Sequence, residues 1–288
     1  MNYSSESENA ETFRIRGKKY FSQGKDFESL VNLTKSLELD PYNAEAFRIR
    51  GKIYYLQGRD RESLTDINKS LALDPNNAEA LKIRGKIYFS QERDIESLED
   101  LTKSLFMEPD DADALRIRGK IYLLLHRYEE SIKDLNRSLE LRPNNADLLR
   151  IRGKAYCGLG LYEKSLEDLT KSLDLDPNNM DALMTRGETY SKIGKYDESL
   201  ADSTKSLDLD PNNAYLLRNR AMTYFLLGKY EESLLDLRRS VELEPGNPDV
   251  LKICQIIFSE IRNYDEDVSA MDISDSEDYE LNYEDQID

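Results

Sequence analysis

Along this chain apolar, small and charged residues return in the same order every 34 residues. If proline is set at position 32 of each period (Pro41, Pro75, Pro109, Pro143, Pro177, Pro211, Pro245), seven periods begin at residues 10, 44, 78, 112, 146, 180 and 214. Within a period, apolar or small residues at positions 4, 8 and 11 share one face of a helix. Those at 20, 24, 27 and 28 share one face of a second. Position 8 is Gly17, Gly51, Gly85, Gly119, Gly153, Gly187 and Ala221. Position 11 is Tyr20, Tyr54, Tyr88, Tyr122, Tyr156, Tyr190 and Tyr224, and positions 20 and 27 are serine in every period. The pattern predicts a pair of helices per period. Small residues at 8, 20 and 27 let their backbones approach, while tyrosine at 11 and leucine or isoleucine at 21 and 24 supply buried area.

The boundaries carry their own signals. Glycine at position 15 (Gly24, Gly58, Gly160, Gly194, Gly228) suits the left-handed residue that ends a helix. Proline at 32 stops the second helix, and asparagine at 34 (Asn43, Asn77, Asn145, Asn179, Asn213, Asn247) is placed to cap the next. Arginine stands at position 7 in all seven periods and aspartate at 23 in six, with Asn32 the exception. This predicts Arg–Asp contacts between neighbouring helices that are structural in role. A single hairpin of this kind cannot bury its apolar face and must stack on others.

The pattern resembles the tetratricopeptide repeat, whose period is about 34 residues, over residues 10–247. The resemblance implies an all-α, right-handed superhelical solenoid of antiparallel helix hairpins, with the first helix of each lining a concave groove. Two departures stand out. Serine replaces the family's alanine at 20 and 27, where its hydroxyl is expected to bond back to its own helix. Asp26, Asp60 and Asp94 replace tyrosine at position 17, and looser packing is expected in those repeats. Outside the repeats, residues 1–9 are predicted to be disordered. Residues 248–262 are predicted to form an amphipathic capping helix that breaks the columns, and the acidic, turn-rich segment 263–288 is predicted to be disordered.

Charge refines this picture. The formal net charge is −17. Eleven acids and no base fall in 264–288, so the rest carries only −6. With 39% apolar and 34% charged residues the chain suits a thin architecture better than one thick core. Cys157 and Cys254 have no metal-like or disulfide-framework spacing, which favours a reducing compartment. The N-terminus lacks the signature of a secretory leader, and no run reaches the length of a membrane span. A soluble, cytoplasmic or nuclear protein with no membrane contact is expected. His126, the one histidine, occupies a turn position. A histidine-based catalytic dyad or metal site is therefore not expected, nor is a cofactor or enzymatic activity.

The resemblance implies that ligand contacts come from positions 2, 5, 9, 12 and 13. Position 5 is Arg14, Arg48, Lys82, Arg116 and Arg150 in the first five repeats, and position 9 is Lys18, Lys52, Lys86, Lys120 and Lys154. Position 2 is Glu11, Glu45, Glu79, Asp113 and Asp147, and position 12 adds Phe21, Tyr55, Phe89 and Leu123. The sixth repeat reverses the sign with Asp181 and Glu188. Positions 2 and 5 are helix neighbours that can pair with each other. The lysine at 9 has no acid left over in its own helix, which favours a ligand role. The expected partner is an acidic peptide or protein segment. The carboxylate clamp that binds chaperone tails is not matched: of its positions only Asn219 fits, and Asp249 and Ile253 follow where Lys and Arg are needed. Nucleic-acid binding or a self-assembling scaffold is the alternative, and the overall acidity opposes the first.

Overall fold

The computed structural model describes residues 9–245 and 247, with Lys252, Ile256 and Ser259. The predicted N-terminal segment up to residue 8, the rest of the predicted capping helix, Cys254 and the acidic tail lie outside the described residues. Among the described residues the chain is all-α, and it divides into two compact units, Met1–Leu159 and Gly160–Asp288.

The first unit holds α1 (Ala10–Ser22), α2 (Asp26–Leu39), α3 (Ala44–Leu56), α4 (Asp60–Leu73), α5 (Ala78–Ser90), α6 (Asp94–Met107), α7 (Ala112–Leu124), α8 (Tyr128–Leu141) and α9 (Ala146–Gly158). Here α1, α3, α5 and α7 each pair with the even-numbered helix that follows and also pack on the next odd-numbered helix. The second unit repeats the arrangement with α10 (Tyr162–Leu175), α11 (Met180–Lys192), α12 (Tyr196–Leu209), α13 (Ala214–Leu226) and α14 (Tyr230–Leu243).

Local chemistry sets these limits. The Asn43 and Asn77 side chains accept from the backbone N–H three residues on, at 2.9 and 3.0 Å, and Asp111 does the same for Ala114 at 2.9 Å. In the turns Gly24 and Gly58 take φ of 70°, and Glu92 and His126 accept the same left-handed conformation at 59° and 56°. The next N–H then closes each turn, as Lys25 does on Tyr20 O at 2.9 Å.

The core is narrower than the columns suggested. Leu33, Ile67, Leu101 and Leu135 at position 24 are fully buried, and so are Ile53, Ile87 and Ile121 at position 10. Tyrosine at 11 is only half-buried; Tyr88 lies against the Arg84 and Arg93 guanidinium groups, 5.9 and 4.2 Å from its ring centre. The looser packing expected around Asp26, Asp60 and Asp94 is not found. A Cβ added to Gly17, Gly51 or Gly85 would come within 2.7, 2.9 and 3.0 Å of the facing leucine or isoleucine, as tight as the 3.0 Å at Gly119. Each aspartate sits in the first turn of its helix, away from that seam, where the helix dipole favours an acid.

The serines also differ from expectation. Ser29, Ser63, Ser97 and Ser131 donate across the hairpin to the position-8 carbonyl at 2.7–2.8 Å, not to their own helix. Ser36, Ser70, Ser104 and Ser138 reach the first carbonyl of the facing helix at 2.7–2.9 Å. With glycine at 8, the helices are close enough for the hydroxyl to span the gap. Ser206 alone among the described position-27 bonds turns to its own helix, at Asp202 O.

The Arg–Asp contacts are present as two-pronged pairs within a hairpin. Arg50–Asp66, Arg84–Asp100, Arg118–Asp134, Arg186–Asp202 and Arg220–Asp236 have Nε to Oδ2 distances of 2.6–2.7 Å. The third nitrogen, Nη1, reaches back to the preceding second helix. Arg50 donates to Thr34 at 3.1 Å, Arg84 to Asn68 at 2.9 Å and Arg152 to Asn136 at 2.8 Å.

Candidate ligand-binding face

All thirteen sequence-predicted site residues lie in the first unit, on α1, α3, α5, α7 and α9. Glu45 gathers three cations: Arg14 and Lys18 of α1, the latter at 2.7 Å, and Arg48 of its own helix at 3.8 Å. Glu79 takes Arg48 and Lys52 from α3, with Lys52 Nζ at 2.5 Å. Lys82 turns to the capping carboxylate Asp111 at 2.5 Å, and Lys86 lies 3.8 Å from Asp113, which also accepts from Arg142 at 2.7 Å. Asp147 takes Arg150 at 2.6 Å and Arg116 at 3.4 Å.

Position 9 is therefore not left without acids. Its lysine has no acid in its own helix, but Lys18, Lys52 and Lys86 reach the position-2 acid of the following repeat. A side chain at position 9 sits one turn above position 5 on the same face, and the neighbouring helix start comes within its reach. The 34-residue spacing held this information, because an acid 27 residues after each lysine recurs in every case. Lys120 is different. Its Nζ stands 5.3 Å over the Phe89 ring and makes no ion pair among the described residues, while Lys154 is exposed.

The aromatics at position 12 support the lysines. Phe21, Tyr55 and Phe89 are half-buried against the core, and Lys52 Nζ lies 5.5 Å over Phe21. Burial, then the charges of Arg48, Lys82 and Lys86, lowers the Lys52 pKa from its ordinary value. Burial also lowers that of Lys86, with Asp113 opposing and Lys82 adding to the shift. Burial lowers Arg48 as well. The shared cause is loss of water around cations packed on this face.

Other chemistry is sparse among the described residues. No group of three or more His, Cys, Asp or Glu is placed to hold a metal. Cys157 is buried, and exposed His126 bonds Tyr128 Oη at 2.7 Å. No described helix is long and apolar enough to cross a membrane.

Stacked helix hairpins of this length, joined by capped turns, define a helical-repeat protein. Tetratricopeptide repeat family models match residues 17–58, 44–77, 119–160, 151–179, 169–201 and 214–247, together well over half of the chain. The chain belongs to the tetratricopeptide repeat family. Among curated proteins no relative matches. Solved structures share the fold. A tetratricopeptide repeat protein from Parabacteroides merdae is similar at 19% identity and TM-score 0.55, over 86% of this chain and 98% of its own. The type IV pilus biogenesis factor PilW is similar at 18% and 0.63, over 73% and 98%. YrrB, described as a tetratricopeptide protein with an unusual peptide-binding site, is similar at 21% and 0.54, over 66% and 97%.

Proposed function

We propose that this chain is a non-catalytic protein-interaction scaffold, and that the first-helix face of its first unit holds an extended acidic segment of a partner protein. The tetratricopeptide repeat is a family of binding modules, and YrrB offers a fold-level precedent for peptide binding. The observation that carries the acidic preference is the surplus of cations on one face. The ten basic residues at positions 5 and 9 outnumber the carboxylates that neutralise them, and Lys120 is poised on an aromatic ring without one. An incoming carboxylate would bond lysines whose charge is already costly to hold, as the lowered Lys52 and Lys86 show.

A fluorescein-labelled glutamate-rich peptide tests the reading by fluorescence anisotropy. The Lys52→Glu/Lys86→Glu/Lys120→Glu variant, checked for native helicity, is expected to weaken binding by about tenfold or more, which is about 1.4 kcal/mol per decade. Unchanged affinity removes the assignment. A single-stranded oligonucleotide bound more tightly than the peptide at equal salt would replace it with nucleic-acid binding. Mass that grows with concentration in light scattering would point to self-assembly.

A further inference from the structure

Among the described residues, one hairpin lacks the large apolar side chain at position 24. Position 24 is Leu33, Ile67, Leu101, Leu135, Leu169 and Leu237, none more than 1% exposed, but in α12 it is Ser203. Neighbouring columns change with it. Position 6, isoleucine in the first five repeats, becomes Thr185 and Asn219, and position 10 becomes Thr189 and Thr223. Where a leucine or isoleucine presses on Gly17, Gly51, Gly85 and Gly119, Gly187 meets no side-chain atom nearer than Asp202 Cβ and Ser203 Oγ, at 3.5 and 3.6 Å from an added Cβ. The nearest atom to an added Cβ is 3.4 Å away, against 2.7–3.0 Å at Gly17, Gly51, Gly85 and Gly119.

A cavity of about 190 Å³ occupies the gap. Its floor is Gly187, Ser199 and Ser203, its walls include Met184, Leu216 and Met222, and Glu188 and Lys192 stand at its rim. All these residues belong to the second unit. The floor hydroxyls are already committed. Ser203 donates to Ser199 O at 2.7 Å, Thr223 donates to Asn219 O at 3.1 Å, and Ser199 and Thr223 share a bond at 3.3 Å. No buried side-chain nitrogen or oxygen among the described residues lacks a partner. An apolar group that enters therefore leaves these three hydroxyls bonded, while Ser191 and Asn219 complete a mixed lining.

We infer that this cavity is an anchor pocket for one branched aliphatic side chain, leucine or isoleucine, from a partner polypeptide. The array itself displays the fit: the incoming side chain takes the place that the chain's own leucine or isoleucine fills in the other hairpins. The size agrees, since a cavity of about 150 Å³ holds a benzene ring. Dedicated small-molecule sites are larger, from about 300 Å³. Two methionine walls adjust to the exact shape of what enters. The inference rests on the chain being a protein-binding scaffold, but not on the cationic face of the first unit.

The test uses the full chain with ¹³C-methyl methionine, whose six methionines include Met184 and Met222. N-acetyl-leucinamide is titrated, with N-acetyl-glycinamide and N-acetyl-glutamate amide as controls. Saturable shifts of the Met184 and Met222 methyls are expected with the leucine probe and not with the controls. Ser203→Leu fills the pocket, so the shifts vanish while the thermal midpoint rises. Gly187→Ala, which the local spacing tolerates, is a second variant that crowds the floor and weakens the response. The Lys52→Glu/Lys86→Glu/Lys120→Glu variant keeps the shifts, which separates this site from the cationic face. Shifts that are equal for all three probes, or that persist in Ser203→Leu, overturn the inference. So does a stabilised Ser203→Leu whose parent shows no leucine-dependent shift, because the gap is then only a hydrated packing defect.

Discussion

At Gly119 an added Cβ would lie 3.0 Å from Leu135 Cγ and 3.4 Å from the Ser131 carbonyl oxygen, so the seam between α7 and α8 has no room for a side chain. Gly119→Leu is expected to destabilise the first unit by about 1–3 kcal/mol or more through overpacking. Gly187→Ala is expected to be neutral or stabilising, because alanine gains about 0.5–1 kcal/mol over glycine within a helix and meets nothing closer than 3.4 Å. Urea midpoints for the two variants check the contrast; equal losses would mean that the second-unit seam is as full as the first. The serines allow a finer comparison. Ser131→Ala removes a buried bond to Gly119 O, a loss of about 0.5–1.5 kcal/mol. Ser206→Ala, whose hydroxyl only bonds back within α12, should cost less in the same measurement.

Between elements, Arg50, Arg84, Arg118, Arg186 and Arg220 each tie three helices together, two nitrogens on their own hairpin's aspartate and the third on the preceding second helix. Asp134 is nearly buried, at 5% side-chain exposure, and Arg118 keeps 17%. Removing one partner of a fully buried pair costs about 3–5 kcal/mol, and Asp134→Ala should approach the lower end because Arg118 can still reach water. The arginine and aspartate columns were legible in the sequence because both recur with the period, and so were the helix limits, written in asparagine, glycine and proline. The reach of Lys18, Lys52 and Lys86 to the next repeat was written there too, as an acid 27 residues on, but a one-helix view counts only acids three or four residues away. The direction of the serine hydroxyls depended on how closely the glycine let two helices approach, which composition does not state. Acid conditions probe the same contacts. Arg142 bonding, against burial, holds the Asp113 carboxyl below its ordinary value. Burial opposes ionisation of Asp111, but Lys82 and the Ala114 N–H outweigh it and lower its pKa too. A carboxylate depressed in the fold adds stability above its unfolded pKa of about 3.9 and loses it as pH falls through the folded value. Urea midpoints should therefore fall between about pH 5 and pH 2, and less steeply in Asp113→Asn; parallel curves would show that Asp113 contributes nothing.

For the whole molecule, a cationic face sits on a chain of net charge −17. An acidic partner thus meets repulsion at long range and attraction at contact. The two respond differently to salt. At an ionic strength of about 0.01 M the Debye length is about 30 Å, so an approaching peptide feels the charge of much of the chain, which repels it. At about 0.15 M the Debye length falls to about 8 Å and distant acids are screened. Lysines within hydrogen-bond reach, half-buried over Phe21 and Phe89, are screened much less. Affinity for the glutamate-rich peptide is therefore expected to rise from about 0.01 M to about 0.15 M salt, then fall towards about 1 M, where even contact pairs weaken. A basic nucleic-acid-binding surface would behave otherwise, losing affinity steadily as counterions compete. Anisotropy titrations across this range decide between them. A maximum at intermediate salt that disappears in the Lys52→Glu/Lys86→Glu/Lys120→Glu variant places the contact on the cationic face. A monotonic fall from the lowest salt would mean that the local field outweighs the net charge at every distance, and the two-range argument would fail.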